Sequence, residues 1–413
     1  MMKCRRRHAV GLITVVVGSV VVSGCLQPAA DRVRIVSSLP RTGVAQQVTE
    51  SIVRGIRLAV DDAKSRAGRF EVEYLDLDNA SAAAGRWTSE GEAANARRAA
   101  QDPEVMAYIG PLNSGAAQIS MPILNYADLL MVSPANTAVG LTKPGLGMPG
   151  EPAIYRPSGR LNYIRVVPAD DIQGPLAATW AYDRGLRRVY VVDDAGVYGR
   201  GVASLFADRC LELGMQVLDQ VSIDPQATDF KTFVASVMRA DPDLIYFGGT
   251  TRTKGGQLAR DLAGAGCEAV LLVPEGCFDQ AFIDAAGVAA VEGRCFATVG
   301  GLPPESFTDR GQAFLRDYRD RYGLPPDASA IYGYESMRLV LAAITKAARK
   351  DRRAITDAAL ATHDFDGLLG RWSIDTNGDT TLRQFSVYAV RDGRFVFDET
   401  IPTTGMGDPG DSG

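Results

Sequence analysis

Ser114 and Thr137 carry hydroxyls and Glu275 a carboxylate, each just past a short apolar run that reads as a buried strand. Gly110-Pro111-Leu112-Asn113-Ser114-Gly115 follows the run 105–109 and leads into a helical pattern. The Ser114 hydroxyl and the amides beyond it suit a carboxylate, because the first N–H groups of a helix lack intrahelical partners. Ser133-Pro134-Ala135-Asn136-Thr137 follows 129–132 and offers a second hydroxyl with free amides. Pro274-Glu275-Gly276 places an acid after 270–273. Taken singly, each is simply a loop with capping residues. Together they set anion-binding loops against an acid, which suits a zwitterion bearing an α-carboxylate and an α-ammonium.

Two other patterns fall short of a site. Gly196-x-x-Gly199-x-Gly201 follows a strand and opens a helix, but its glycines are in the wrong order for a dinucleotide and no acidic ribose partner follows. Asp375-x-Asn377-x-Asp379 starts like a calcium loop. Thr380 and Ser386 stand where that loop needs glycine and glutamate, so it reads as a solvated turn.

The elements that must position these loops alternate regularly. Strand signals at 33–36, 70–77, 105–109 and 129–132 are separated by helical patterns at 51–67, 93–100 and 122–126. A Pro- and Gly-rich loop, 140–159, interrupts them. A second series follows, with strands at 189–192, 216–221, 244–247 and 270–273 and helices at 201–213, 230–239, 257–265 and 278–286. Short apolar strands between helices imply parallel sheets covered on both faces, and two series imply two α/β lobes. Beyond them, helices at 312–322 and 334–350 need a sheet to lie against. Segments 372–375 and 385–397 read as a hairpin turning at Asn377-Gly378. The expected division is 33–165 with 299–369 as lobe 1 and 166–298 with 370–402 as lobe 2, leaving 403–413 as a disordered tail. The crossings between lobes are expected near Val166, Thr298 and Gly370.

Lys3, Arg5, Arg6 and Arg7 precede an uncharged, largely apolar run, 9–22, that ends in Ser23-Gly24-Cys25. That is the layout of a secretory signal, and the run is shorter than the ~20 residues of a membrane-spanning helix. Cys25 after Ser-Gly resembles a bacterial lipobox, which implies removal of 1–24, a lipid on Cys25 and a tether over 25–32. The body is then expected outside the cytoplasmic membrane, held to its outer face by the lipid. A net charge of −5 argues against nucleic acid. The processed chain keeps a single histidine, His363, which removes most hydrolase and metal-site readings. With no Gly-x-Ser-x-Gly elbow either, no enzyme is expected.

Ile109-Gly110-Pro111-Leu112-Asn113-Ser114, Ser133-Pro134-Ala135-Asn136-Thr137, Gln173-Gly174-Pro175, Tyr198-Gly199-Arg200-Gly201, Tyr246-Phe247-Gly248-Gly249 and Pro274-Glu275-Gly276 occur in this order. The ordered set resembles the leucine/isoleucine/valine-binding proteins, type I periplasmic binding proteins that serve ABC importers, over about 33–399. The resemblance implies two doubly wound, Rossmann-like lobes joined by three crossover strands, closing like a flytrap on an amino acid. It implies that Ser114 and Thr137 hold the ligand carboxylate, Ala135 offers its carbonyl, Glu275 takes the ammonium and Tyr198 closes over the ligand. Leu112, Asn113 and Asn136 accompany them on the same loops. An ABC permease with its ATPase would be the partner, the chain would act as a monomer, and no cofactor or metal would be needed. A receptor handing amino-acid occupancy to a signalling partner is the alternative. Thr250, followed by Arg252 and Lys254, stands where the family commonly has an aromatic, and 39–43 lacks the tyrosine of branched-chain binders. The side-chain pocket is therefore expected to differ from theirs.

Cys210, Cys267, Cys277 and Cys295 remain after processing. If 270–273 neighbours the strand near Phe296, Cys267 and Cys295 lie at the amino ends of adjacent strands, ~4.8 Å apart, within disulfide reach. Four unpaired buried cysteines are the equal alternative.

Overall fold

A computed structural model describes residue 1 and residues 31–402. The signal segment, Cys25 and the tail 403–413 lie outside the described residues. No described helix is long and apolar enough to cross a membrane.

The first lobe runs β1 (Arg32–Leu39), α1 (Gln46–Asp62), β2 (Arg66–Ala67), β3 (Phe70–Asp78), β4 (Ala80–Ser81), β5 (Arg86–Trp87), α2 (Ser89–Gln101), β6 (Val105–Ile109), α3 (Ser114–Tyr126), β7 (Leu130–Ser133) and β8 (Tyr163–Arg165). Its sheet has the order β2-β3-β1-β6-β7-β8, parallel except for β2. The second lobe runs α4 (Asp170–Asp183), β9 (Arg188–Asp193), α5 (Val197–Glu212), β10 (Gln216–Ser222), α6 (Lys231–Ala240), β11 (Leu244–Gly248), α7 (Gly255–Gly264), β12 (Val270–Pro274), α8 (Gln280–Ala286), α9 (Val288–Val291) and β13 (Cys295–Gly300). The chain then returns to the first lobe as α10 (Asp309–Tyr322), α11 (Ala330–Ala347), α12 (Arg352–Leu360), β14 (Phe365–Asp366) and β15 (Arg371–Trp372). It ends in the second sheet as β16 (Phe385–Arg391) and β17 (Arg394–Ile401), giving the order β10-β9-β11-β12-β13-β16-β17.

The apolar strands are buried on both faces, as β6, β7 and β11 show with every residue inside. Ile52, Ile56 and Leu58 of α1 pack with Met337, Val340 and Ile344 of α11 on one face of the first sheet. Tyr190, Ile245 and Leu271 point to one face of the second sheet and Val189, Leu244 and Leu272 to the other, the alternation of a strand covered twice.

Two expectations about the carboxyl-terminal part are corrected. The hairpin is β16–β17, and its turn is Asp392-Gly393, both residues with positive φ (52° and 69°) as a tight hairpin turn demands. Asn377-Gly378 does turn the chain, through the antiparallel bridge Ile374–Thr380, but 372–375 do not pair with β16; β15 pairs instead with β14. The third crossing lies after Leu382 rather than near Gly370, because Trp372, Ile374 and Leu382 belong to the first lobe's core. The loop through Gly378 runs along β8, with the Arg165 amide donating to the Gly378 carbonyl and the Thr380 amide to that of Arg165.

The crossings are tied to one another. The Gly301 amide donates to the Gln384 carbonyl at 2.7 Å, and the Ser386 hydroxyl to the Gly301 carbonyl at 2.9 Å. Gln173, at the start of the second lobe, donates to the Thr298 carbonyl at 2.9 Å.

Candidate functional site

The carboxyl ends of β6, β7, β9, β11 and β12 converge on one cleft between the lobes, of about 670 Å³. Its wall includes Leu112, Asn113, Ser114, Ala135 and Thr137 from the first lobe and Tyr198, Thr250 and Glu275 from the second.

On the first lobe the chain leaves β6 through Gly110, whose φ of 119° and closeness to the Ser38 carbonyl leave no space for a side chain. That turn brings Ser114 to the first position of α3, where the leading amides are free for a ligand. The helix starts here, well before the expected 122, and carries Pro122 within it. A Cβ on Gly115 would meet the Trp87 ring at 3.3 Å, so the indole lies against the helix start. The Ser133 hydroxyl accepts from the Ala135 and Asn136 amides at 3.2 and 2.8 Å, which folds the second loop inward. Thr137 is only 2 % exposed, and its carbonyl accepts from the Asp170 amide at 2.9 Å.

Asn136 does not reach the cleft. It is fully buried, and its side-chain amide donates to the Pro111 and Leu112 carbonyls at 3.0 Å each. Its role is to fasten the two loops together, since a buried amide must find acceptors.

On the second lobe, Glu275 is held only by the Gly300 amide, at 3.3 Å. Burial pushes its carboxyl up to about 7 against that single hydrogen bond, and no described side chain forms an ion pair with it. Tyr198 stands in the first turn of α5, its hydroxyl buried without a partner. Burial raises that phenol well above its ordinary value, and the charges of Glu275 and Asp170 raise it further. Thr250 caps the turn at 251–253, accepting from the Thr253 amide at 3.2 Å. Beyond it, Arg252 lies 3.5 Å from Asp279, and Lys254 bonds to the Ala227 carbonyl. Neither cation serves Glu275.

Several wall residues escaped the sequence reading. Trp87 and Arg86 come from the short strand β5, and Tyr332 from the first turn of α11, donating to the Gly300 carbonyl at 3.0 Å. Asp194 directly follows β9, where the Thr253 hydroxyl and the Gly196 amide donate to its carboxylate at 2.6 and 2.8 Å. Only its position at a strand's carboxyl end could have marked it. Trp87 and Tyr332 carried no local signal.

The expected Cys267–Cys295 disulfide is absent: all four described cysteines are free and buried. β12 and β13 are parallel neighbours as expected, but the register sets Leu271 opposite Cys295, and Cys267 precedes the strand.

A family model described as "Periplasmic binding protein" matches residues 32–394. The Leu/Ile/Val-binding protein BraC3 of Rhizobium johnstonii is 26% identical over 361 residues, covering 86% of this chain and 91% of that protein. Among solved structures, the leucine-binding protein LivK of Thermotoga maritima has a TM-score of 0.79 at 28% identity, covering 90% of this chain and 99% of that one. The branched-chain amino acid transporter substrate-binding protein LivJ of Streptococcus pneumoniae, in complex with isoleucine, has a TM-score of 0.75 at 21% identity, covering 89% and 100%. Because the family match runs through both lobes and reaches β17, the chain belongs to the periplasmic binding protein family.

Proposed function

We propose that this protein captures an amino acid between its lobes, outside the cytoplasmic membrane, and delivers it to the permease of an ABC importer. The observation that carries the reading is Glu275, an acid in the cleft wall without a cation of its own. Across the same cleft stand the Ser114 and Thr137 hydroxyls and the free amides of α3. A ligand with carboxylate and ammonium on one carbon supplies what each wall lacks, and charge-assisted hydrogen bonds are the strong ones where water is excluded. The relatives named for leucine, isoleucine and valine support the same class. Trp87 and Tyr332 give the ligand's side chain apolar surface, while Thr250 takes the place of the family's usual aromatic. The family binds solutes without converting them, and the three linked crossings give a hinge about which the lobes close. A ligand touching both walls shifts the population toward the closed form that a permease would read. A lipid on Cys25 would keep the body at the membrane's outer face; Cys25→Ala should then leave precursor or soluble protein, and a processed, membrane-bound variant would refute the anchor.

A thermal-shift and calorimetric panel on residues 26–413 tests the ligand class. L-amino acids should raise the melting temperature, a ligand at 100 times its Kd adding about 2.7 kcal/mol. Their α-keto acid counterparts, which keep the carboxylate and side chain but lose the ammonium, should bind at least tenfold more weakly. Equal binding of the keto acids, or no shift with any amino acid, would refute the assignment.

A further inference from the structure

Six charged side chains line the cleft, and their partners divide them. Asp194 takes the Thr253 hydroxyl and the Gly196 amide, and Asp327 takes the Ser329 amide at 3.0 Å. Asp279 accepts from the Thr251 hydroxyl at 2.9 Å and the Phe282 amide at 2.8 Å, and Arg252 lies against it. Glu275 has its place under the ligand ammonium. That leaves Arg86, an exposed cation of the wall whose head group has no hydrogen bond, ion pair or stacked ring among the described residues. Its backbone, in contrast, is fastened. Arg86 and Trp87 form β5, paired antiparallel with β4. The Val44 amide donates to the Gly85 carbonyl at 3.2 Å on one side of Arg86. On the other, the Thr88 amide donates to the Asn79 carbonyl at 3.0 Å, and the Thr88 hydroxyl caps α2. The ribbon thus holds a free guanidinium at a fixed place in the wall.

We propose that Arg86 is a specificity-determining residue of this cleft and takes the side-chain carboxylate of an acidic α-amino acid. This deepens the amino-acid reading above and rests on it. Successive side chains of a strand point to opposite sides. Trp87 lies against the start of α3, where the α-carboxylate is expected, so Arg86 on the other side of β5 is placed for a second anion rather than for that one. Thr250, standing where the family commonly has an aromatic, leaves room for a polar end on the ligand. The other acids of the wall do not compete for Arg86, since each spends its oxygens on donors of its own. Every charge of an acidic amino acid then has its counterpart: Glu275 for the ammonium, the α3 loop for the α-carboxylate and Arg86 for the side chain. A guanidinium keeps its charge at any working pH and grips a carboxylate with two parallel donors. In open water such a pair contributes little. Between closed lobes, where water is displaced, the charge-assisted bonds gain strength. A neutral side chain would instead close the cleft over a cation without an anion, which is costly. Arg86 therefore selects for the acid twice, by attraction and by what it withholds from neutral ligands.

Calorimetry on residues 26–413 compares L-aspartate and L-glutamate with asparagine and glutamine, near-isosteres that differ in side-chain charge. The acid of the better-binding pair should bind about tenfold more tightly than its amide, the usual worth of a hydrogen bond to a charged group. Arg86→Gln should abolish that preference. Because Arg86 is exposed and unpaired, the variant should melt with the wild type. Equal binding of acid and amide by the wild type, or a preference that survives in the variant, overturns the proposal. A variant that weakens acid and amide by the same factor also overturns it, and moves Arg86 to the α-carboxylate. Failure of the amino-acid reading has a different signature, since then no amino acid binds at all. Glutarate and butyrate still decide Arg86 in that case, because glutarate carries both carboxylates and no ammonium. Glutarate should raise the melting temperature more than butyrate does, and Arg86→Gln should erase the difference. A wild type that does not distinguish the two overturns the proposal without any amino acid.

Discussion

Two buried acidic clusters flank the first crossing, and they are built in opposite ways. Asp379 takes Arg165 at 2.7 Å on one oxygen and Thr142 at 3.1 Å on the other, with Lys143 3.5 Å away. Its amide donates to Asp375, and Arg165 spends its remaining donors on Thr142 and on the Ala138 and Asn136 carbonyls. Burial works to raise the Asp379 carboxyl, but Arg165 and Lys143 outweigh it and hold the group below the ordinary range. Asp170 is fully buried and Glu275 half-buried, and neither forms an ion pair among the described residues; Glu275 accepts the Gly300 amide at 3.3 Å. Both of these are raised. Burial of charge therefore does not distinguish structure from function in this protein; what distinguishes them is whether the fold supplies the partner. One cluster is complete and joins the carboxyl-terminal loop to β8. The other holds no cation of its own among the described residues.

The comparison breaks most visibly at Asp379. Asp379→Asn leaves a fully buried Arg165 guanidinium without its counter-charge, which in other proteins costs about 3–5 kcal/mol. The urea midpoint should fall accordingly at pH 7. Because the carboxyl is held low, its contribution is present at neutral pH and is lost as pH falls through the folded value. The variant should thus converge with the wild type in strong acid. A variant as stable as the wild type at pH 7 would show that the surrounding hydroxyl and carbonyls, not the carboxylate, hold Arg165.

Glu275 sharpens the contrast in the other direction. Glu275→Gln should weaken amino-acid binding at least tenfold, roughly 1.4 kcal/mol, measured calorimetrically. The empty protein should be no less stable. A carboxyl raised to about 7 binds its proton more tightly folded than unfolded, so the empty protein loses stability as pH rises through that window. The glutamine variant should lose less. Unchanged affinity would remove Glu275 from the site; a large drop in the empty protein's stability would make it part of the structural cluster instead.

How far the sequence foretold this depends on how local each signal is. The short apolar strands at β6, β9, β11 and β12 and the loops at their carboxyl ends were readable, because strand burial and topology leave marks within a few residues. That is why Ser114, Thr137, Tyr198 and Glu275 reach one cleft. Asp375-x-Asn377-x-Asp379 looked like a solvated turn because the partner that buries Asp379 is Arg165, 214 positions away. Asn136 sits among true wall residues, yet its acceptors lie on the loop at 111–112. Trp87 and Tyr332 enter the cleft through long-range packing of β5 and α11.

The cysteines supply the smallest effect and a control on the whole contrast. Cys210, Cys277 and Cys295 are buried without ion-pair partners, as Asp170 is, but burial pushes their thiols up, Cys210 to about 12, so they stay neutral. A neutral thiol behaves as a small apolar group and asks for nothing. Cys267 is likewise buried, its carbonyl bonded to Arg294. Since Leu271 rather than Cys267 stands opposite Cys295, no described pair is placed for a bridge. Reductant should leave the melting temperature of residues 26–413 unchanged, and the denatured, unreduced protein should titrate as four thiols. Removing a native disulfide would instead cost about 2–5 kcal/mol, an effect no melting experiment would miss. A Cys267–Cys295 peptide in a non-reduced digest would mean that the register between β12 and β13 is shifted. That shift would also move Glu275 relative to Gly300, and with it the one hydrogen bond that sets the site's charge.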